Sequence, residues 1–158
     1  MSGVAPALLR PATWRDIPGM LAVERAAFPD EPWDEAGLWA ELASRPRRAY
    51  VVAAREGQQG HEGIEGYAGL DVAGDVADVM TLAVHPGSRG GGLGSSLLGR
   101  LHDLARGAGA TSVLLEVRSG NEVARRLYAA HGYGLVRTRE RYYRSGEDAL
   151  VLRKELHP

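Results

Sequence analysis

The chain has 158 residues, 44% of them apolar and 25% charged, and a formal net charge of −1. That is the size and composition of one globular domain with one sizeable core, and so small a net charge sets up no global field toward nucleic acid, so no direct DNA binding is expected. There is no cysteine and no His-x-x-x-His pair among the five histidines, which excludes disulfides and a cysteine nucleophile, argues against a zinc or other metal site, and fits a reducing, cytoplasmic compartment.

No apolar run approaches the ~18 residues of a membrane span. The opening "MSGVAPALLRP" lacks a basic region ahead of its apolar part, so neither a span nor a signal peptide is expected. "ALLRP" reads as a first strand. "TWRDIPGMLAVERAAF" reads as a helix, with Thr13 as N-cap candidate and Asp16 close behind. Pro18 is best tolerated in a first turn, which predicts a regular helix starting a little after Thr13. Ile17, Met20, Leu21, Ala27 and Phe28 form its apolar stripe, interrupted by Glu24. "PDEPW" is a turn, and "DEAGLWAELAS" a short helix capped by Asp34. "AYVVAA" is a strand, and "REGQQGHEG" a polar hairpin loop. "IEGYAGLDV" and "VADVMTLAV" are two antiparallel strands separated by Ala73–Asp75.

A glycine-rich segment and a helix from about Leu93 to Arg106 come next, with Leu93, Leu97, Leu98, Leu101 and Leu104 as the expected buried stripe. "TSVLLEV" is a buried strand, "NEVARRLYAAHG" a helix, and "YGLVRTRERYY" and "EDALVLRKEL" are two final strands. With no repeat and no linker, residues 1–158 read as one domain. The element order predicts an α/β fold, more strictly α+β, with one central mixed sheet and helices on both faces.

"HPGSRGGGLGSSL" carries five glycines within the eight residues from Gly87 to Gly94. The first N–H groups of a helix are unpaired and carry a partial positive charge. Glycines ahead of them let a phosphate approach the backbone, so strand, glycine loop and helix together make an anion site. A P-loop would need Gly-Lys-Ser/Thr, and no lysine is present. A Rossmann motif starting at Gly92 meets Leu97 where its third glycine belongs, and sits in mid-chain after hairpin strands, although Glu116 has the spacing of its acidic residue.

What remains is Arg89-x-x-Gly92-x-Gly94 after "TLAVHP". This resembles the pyrophosphate loop of the GNAT N-acetyltransferases. The resemblance extends over nearly the whole chain. "LEVRSGNEVARRLYAAHGY" is similar to the later half of that fold, and "AAFPDEPWDEAGLWAEL" and "RERYYRSGEDALVL" resemble its RimI-type branch, which acetylates the N-terminal alanine of a small-subunit ribosomal protein. The resemblance implies a GNAT fold with six to seven strands, acetyl-CoA as co-substrate and the N-terminal peptide of a ribosomal protein as acceptor. It further implies that Leu82, Ala83 and Val84 hold CoA through their backbone, that Arg89, Gly90, Gly91, Gly92, Leu93, Gly94 and Ser95 hold its pyrophosphate, and that Asn121 contacts it as well. Two departures are visible. Gly91 stands where family loops often carry a basic residue, and Tyr133 replaces the usual Phe of a Gly-Phe pair.

Acetyl transfer to an amine needs a neutral amine, donors for the oxyanion and a proton for the departing thiolate. Without cysteine, and without a Gly-x-Ser-x-Gly elbow, direct attack on the thioester is the simplest route. Glu116, near the end of an apolar strand, is either a carboxylate paired with Arg118, two residues on and facing the same way, or the general base acting through water. The resemblance matches it to the proposed base of RimI-type enzymes. Tyr128 is either a core tyrosine on the face of Ala124, Leu127 and His131, or the general acid; it matches the family's tyrosine. Asn121 is expected to cap its helix, and His131 to be a cation at that helix's C-terminus.

Residues 30–41 hold five acids and no base, and residues 118–144 hold seven arginines and two glutamates. These are either solvated faces or partners for a basic peptide and for phosphates. The acceptor site implied by the resemblance takes in Trp33, Asp34, Glu35, Tyr142 and Tyr143. An α-amine, with a pKa of roughly 7.7–8.0 against about 10.4 for lysine, costs about 3.5 kcal/mol less to deprotonate at neutral pH, which favours the N-terminal acceptor. Acetylation of a lysine or small amine, and a CoA-binding module without turnover, are the alternatives. The presence of both Glu116 and Tyr128 counts against the second.

Overall fold

The computed structural model describes residues 7–55 and 63–157. Its strands are β1 (Ala7–Pro11), β2 (Arg48–Arg55), β3 (Ile64–Ala73), β4 (Val76–Val84), β5 (Ser112–Arg118), β6 (Gly134–Arg139) and β7 (Ala149–Glu155). Its helices are α1 (Ile17–Ala27), α2 (Glu35–Ala43), α3 (Leu93–Gly107) and α4 (Glu122–Ala130). The strands form one seven-stranded sheet in the order β1-β2-β3-β4-β5-β7-β6. Every pairing is antiparallel except β4 with β5.

Alternation along the strands builds two cores. Val51, Ala53, Ala68, Leu70, Val113, Leu115 and Val117 turn to the face covered by α3 and α4, meeting Leu97, Leu98, Leu101 and Tyr128. Tyr50, Val52 and Tyr67 turn to the other face, against Ile17, Met20, Val23 and Leu38 of α1 and α2. The helix starts follow local chemistry. Trp14–Asp16 form a single 3-10 turn in which the Asp16 carboxylate accepts from the Thr13 N–H at 2.8 Å. Pro18 then sits in the first turn of α1, as its missing N–H requires. Asp34 caps α2 by accepting from Gly37 N–H at 2.7 Å.

One irregularity shapes everything downstream. Gly69 of β3 faces Thr81 and Leu70 faces Val79, so β4 carries one extra residue, Met80. The bulge reverses the side-chain alternation of β4. Ala77 therefore packs on the α3 side and Ala83, six residues later, on the α1 side. The β4–β5 pairing covers only Val76–Ser112, Ala77–Val113 and Asp78–Leu114. It stops two residues before the bulge, and the two strands separate beyond it.

Two expectations need correction, and a third falls largely outside the described residues. The strand foreseen as "YGLVRTRERYY" ends at Arg139, because Arg141 turns the chain with φ +52° and gives its N–H to Asp148 at 2.9 Å. Tyr142 and Tyr143 thus belong to the loop between β6 and β7. Leu104 is 37% exposed and lies off the buried stripe of α3, where His102 and Ala105 stand instead. The foreseen loop "REGQQGHEG" lies mostly in residues 56–62, outside the described residues.

Gly69 is the cross-strand partner of Tyr50, whose buried ring lies over it; a Cβ there would stand 2.2 Å from that ring. Gly69→Ala should therefore destabilise the domain by about 1–3 kcal/mol, the usual cost of overpacking. Chemical denaturation checks this, and the loss should shrink in a Tyr50→Ala background.

Candidate active site

The separation of β4 from β5 leaves a cavity of about 620 Å³ between the two strands, lined by residues of α1 on one face of the sheet and of α4 on the other. Val79–Leu82 form one wall and Leu115–Arg118 the other, with Asn121, Ala124 and Tyr128 of the α4 segment closing one end. Beyond Asp78 the β5-facing edge of β4 has no strand partner among the described residues. Leu82 lines the cavity. Ala83 is buried in the α1 core, and the Val84 carbonyl accepts from Arg89 Nε at 3.3 Å.

β4 delivers the chain to the glycine loop. Gly90 and Gly92 have φ of +91° and +83°, a region that side chains disfavour, and Gly92 is the N-cap of α3. A Cβ added at Gly90, Gly91 or Gly92 would meet nothing within 4 Å, so this side of the loop is open. Gly94 is closed from behind: a Cβ there would lie 3.4 Å from Leu127 of α4. The loop thus offers the first N–H groups of α3 with open space in front. These residues fit the pyrophosphate of a CoA ester. Gly91 lies in that open space, so the missing basic residue costs charge but not shape.

Glu116 lies on the cavity wall with its side chain about one-third exposed, its Oε1 3.2 Å from Nε of Arg139. The expected partner, Arg118, is engaged elsewhere. It pairs with Glu31 at 3.2 Å and Glu147 at 3.5 Å, and its guanidinium sits 3.9 Å above the Tyr143 ring. Arg118 therefore ties the loop after α1 to the loop after β6 across the cavity. Tyr128 is 7% exposed, lines the cavity, and packs edge-on against Tyr133. Burial pushes its phenol up to about 12, so it keeps its proton at neutral pH. Asn121 caps α4 by accepting from Ala124 N–H at 3.1 Å, and also reaches the cavity wall.

The acidic segment contributes Trp33 as foreseen, but other acids than Asp34 and Glu35. Trp33, Asp30 and Glu31 line the cavity, whereas Asp34 and Glu35 do not. Asp34 is committed to the α2 cap, and Glu35 accepts from the Trp39 indole at 3.4 Å. Of the tyrosine pair, Tyr143 lines the cavity; Tyr142 is exposed and packs edge-on against it.

Sequence reasoning passed over Glu24 except as a break in an apolar stripe. It is 2% exposed and lines the cavity; it accepts from the Tyr67 hydroxyl and, at 2.9 Å, from Trp33 N–H. The interruption of the stripe was itself the signal. His131 is also not the expected cation. Burial and Lys154 lower its pKa, and its Nε2 lies 2.7 Å from Ser95 Oγ. Among the described residues, no cluster of His, Cys, Asp and Glu is arranged to hold a metal, and no helix is long and apolar enough to cross a membrane.

Residues 14–133 match the Acetyltransferase (GNAT) family. The chain belongs to that family. Its enzymes take an acetyl group from acetyl-CoA. The chain is 40% identical, over 131 residues, to the N-alpha-acetyltransferase RimI of Mycobacterium tuberculosis, covering 80% of this chain and 77% of that protein. It is 28% identical over 140 residues to the [ribosomal protein bS18]-alanine N-acetyltransferase of Salmonella typhimurium, covering 87% and 89%. Its structure superposes on the ribosomal-protein-S18-alanine N-acetyltransferase of Escherichia coli with a TM-score of 0.85 and 26% identity, covering 96% of this chain and 95% of that one. The chain is accordingly an acetyltransferase with the seven-stranded mixed sheet of the GNAT fold.

A β-branched side chain at Gly92 would oppose the left-handed backbone and intrude where the phosphates approach. Gly92→Val should abolish measurable coenzyme A binding in calorimetry while leaving the circular dichroism spectrum unchanged.

Proposed function

We propose that the protein acetylates the N-terminal α-amine of a protein, by the resemblance the N-terminal alanine of a small-subunit ribosomal protein in the cytoplasm. The observation that supports this most is that Glu116, Tyr128 and the acidic loop after α1 line one and the same cavity, beside the unpaired edge of β4. Acetyl-CoA supplies the activated acetyl group as a thioester. Leu82–Val84, Arg89–Ser95 and Asn121 bind it, and a backbone N–H of Leu82–Val84 donates to the carbonyl oxygen as negative charge builds there. Glu116 takes a proton from the acceptor's ammonium through water. The neutral amine attacks the thioester carbon, a C–N bond forms and the C–S bond breaks. Tyr128, neutral at physiological pH, gives its proton to the departing thiolate, and the surplus proton on the new amide nitrogen passes through water to the Tyr128 oxygen, leaving a neutral amide, the free CoA thiol and a restored phenol.

The acceptor end is acidic. Glu24, Asp30, Glu31, Glu116 and Glu147 face Arg118 as the one base in the lining. That balance suits a cationic N-terminus followed by basic residues. Trp33 and Tyr143 supply apolar walls for the first side chain.

Tyr128→Phe retains the packing and removes the hydroxyl. Turnover should fall by ~10²–10⁴-fold, the range for one acid–base group, with acetyl-CoA affinity unchanged; stopped-flow and calorimetry measure the two separately. Mass spectrometry of a peptide library with acetyl-CoA tests the acceptor. A peptide starting with alanine and followed by arginines should be acetylated on its α-amine. Its kcat/KM should fall with salt, since exposed charges are screened over about 10 Å at ~0.1 M, and should fall further in Asp30→Lys/Glu31→Lys. Products modified only on internal lysines or on polyamines would overturn the α-amine reading.

A further inference from the structure

Ser95 is the third residue of α3, inside the glycine-loop segment. Its hydroxyl is already engaged: Oγ lies 2.7 Å from Nε2 of His131, the residue that ends α4, 36 positions away in sequence. A hydroxyl carries a single proton. If Ser95 gives that proton to the imidazole, it presents only lone pairs toward an anion at the loop and repels it. If the imidazole holds a proton on Nε2 and donates it to Oγ, the serine proton is released toward the anion. One tautomer of His131 thus opposes phosphate binding and the other assists it.

We propose that His131 is a positioning residue of the cofactor site, holding Ser95 Oγ from behind through Nε2–H so that the serine hydroxyl donates to a CoA phosphate. The inference rests on the reading of the glycine loop as the site of the CoA phosphates.

The surroundings suit a neutral ring with two tautomers. Burial and the Lys154 ammonium, which packs by Gly132, lower the His131 pKa. The ring is held in place by His102, tilted against it with centroids 5.9 Å apart. His102 does not compete for Ser95, since its own Nε2 is 2.7 Å from the Tyr133 hydroxyl. The same arrangement accounts for tyrosine at position 133, where the hydroxyl occupies the buried His102.

Calorimetry with coenzyme A on the whole protein tests this. Ser95→Ala and His131→Leu should each weaken binding by about 10-fold or more, the scale of a hydrogen bond to a charged group. The double variant should lose no more than the worse single one. His131→Gln, whose carboxamide N–H can replace the Nε2 donor, should recover most of the loss. Long-range proton–nitrogen NMR of the unsubstituted enzyme should show His131 as the Nε2–H tautomer when saturated with coenzyme A, a result that depends on no variant folding. Additive losses, full affinity in His131→Leu, or the Nδ1–H tautomer in the saturated enzyme would overturn the inference while Gly92→Val still blocked binding. Full affinity in Gly92→Val would overturn the loop reading itself.

Discussion

The structure depends on where β4 stops pairing with β5. A parallel pair that ran its full length would bury the backbone edge of β4 and leave no space between the strands. Here the pairing ends at Asp78–Leu114, two residues before the Met80 bulge. The bulge satisfies two demands at once. It lets β4 remain paired with β3 as far as Val84, and it reverses which face each β4 side chain serves. Ala77 can then support α3 while Ala83 supports α1. The core stays continuous on both faces while the sheet opens between its two central strands. Val79–Leu82 of that edge line the cavity half-buried, and a strand edge without partners is a template on which an extended ligand can pair. In a GNAT acetyltransferase the acetylated arm of CoA is of the right kind, with its amide groups able to pair as a strand would.

Elements far apart in sequence close the cavity, and they do so through charge. Glu24 joins β3 to the loop after α1 by accepting from Tyr67 and from Trp33 N–H. Arg118 joins that loop to the one between β6 and β7 through Glu31, Glu147 and the face of Tyr143. Single exposed ion pairs contribute little to stability. A guanidinium shared by two carboxylates and a ring fixes geometry more than it adds free energy. Both loops line the cavity, so these contacts define its shape at the end proposed for the acceptor.

Much of this was legible in the sequence because it is local. Helical periodicity, the Thr13–Asp16 and Asp34 caps, the hairpin of β3 with β4, and the glycine loop each depend on residues within a few positions of one another. Glu116 and Tyr128 were identifiable because a carboxylate in an apolar strand and a tyrosine in a family motif stand out individually. What stayed hidden depends on register. That Glu116 meets Arg139 follows only once β5, β7 and β6 lie side by side in that order. Alternation on β5 alone pointed to Arg118, which faces the same way but reaches Glu31. Asp34 and Glu35 looked as suitable for a peptide as Asp30 and Glu31; capping claimed the first and an indole the second. Tyr142 was placed in a strand because a turn at an arginine with positive φ has no sequence signature.

The two ends of the site are electrically opposite, and this bears on how two highly charged substrates share it. The glycine loop presents helix N–H groups, and the acceptor end presents Glu24, Asp30, Glu31, Glu116 and Glu147. CoA is a polyanion, and the proposed acceptor is a polycation that could pair with it unproductively in solution. A site with uniform charge would attract one and repel the other. With a net charge of only −1, long-range steering is weak and local fields decide orientation. On the proposed function the phosphates are drawn to the start of α3 and excluded from the carboxylates, and the basic peptide is drawn to the carboxylates and excluded from the helix N-terminus. The thioester and the amine are then left to meet between them, along the part of β4 that the sheet leaves unpaired.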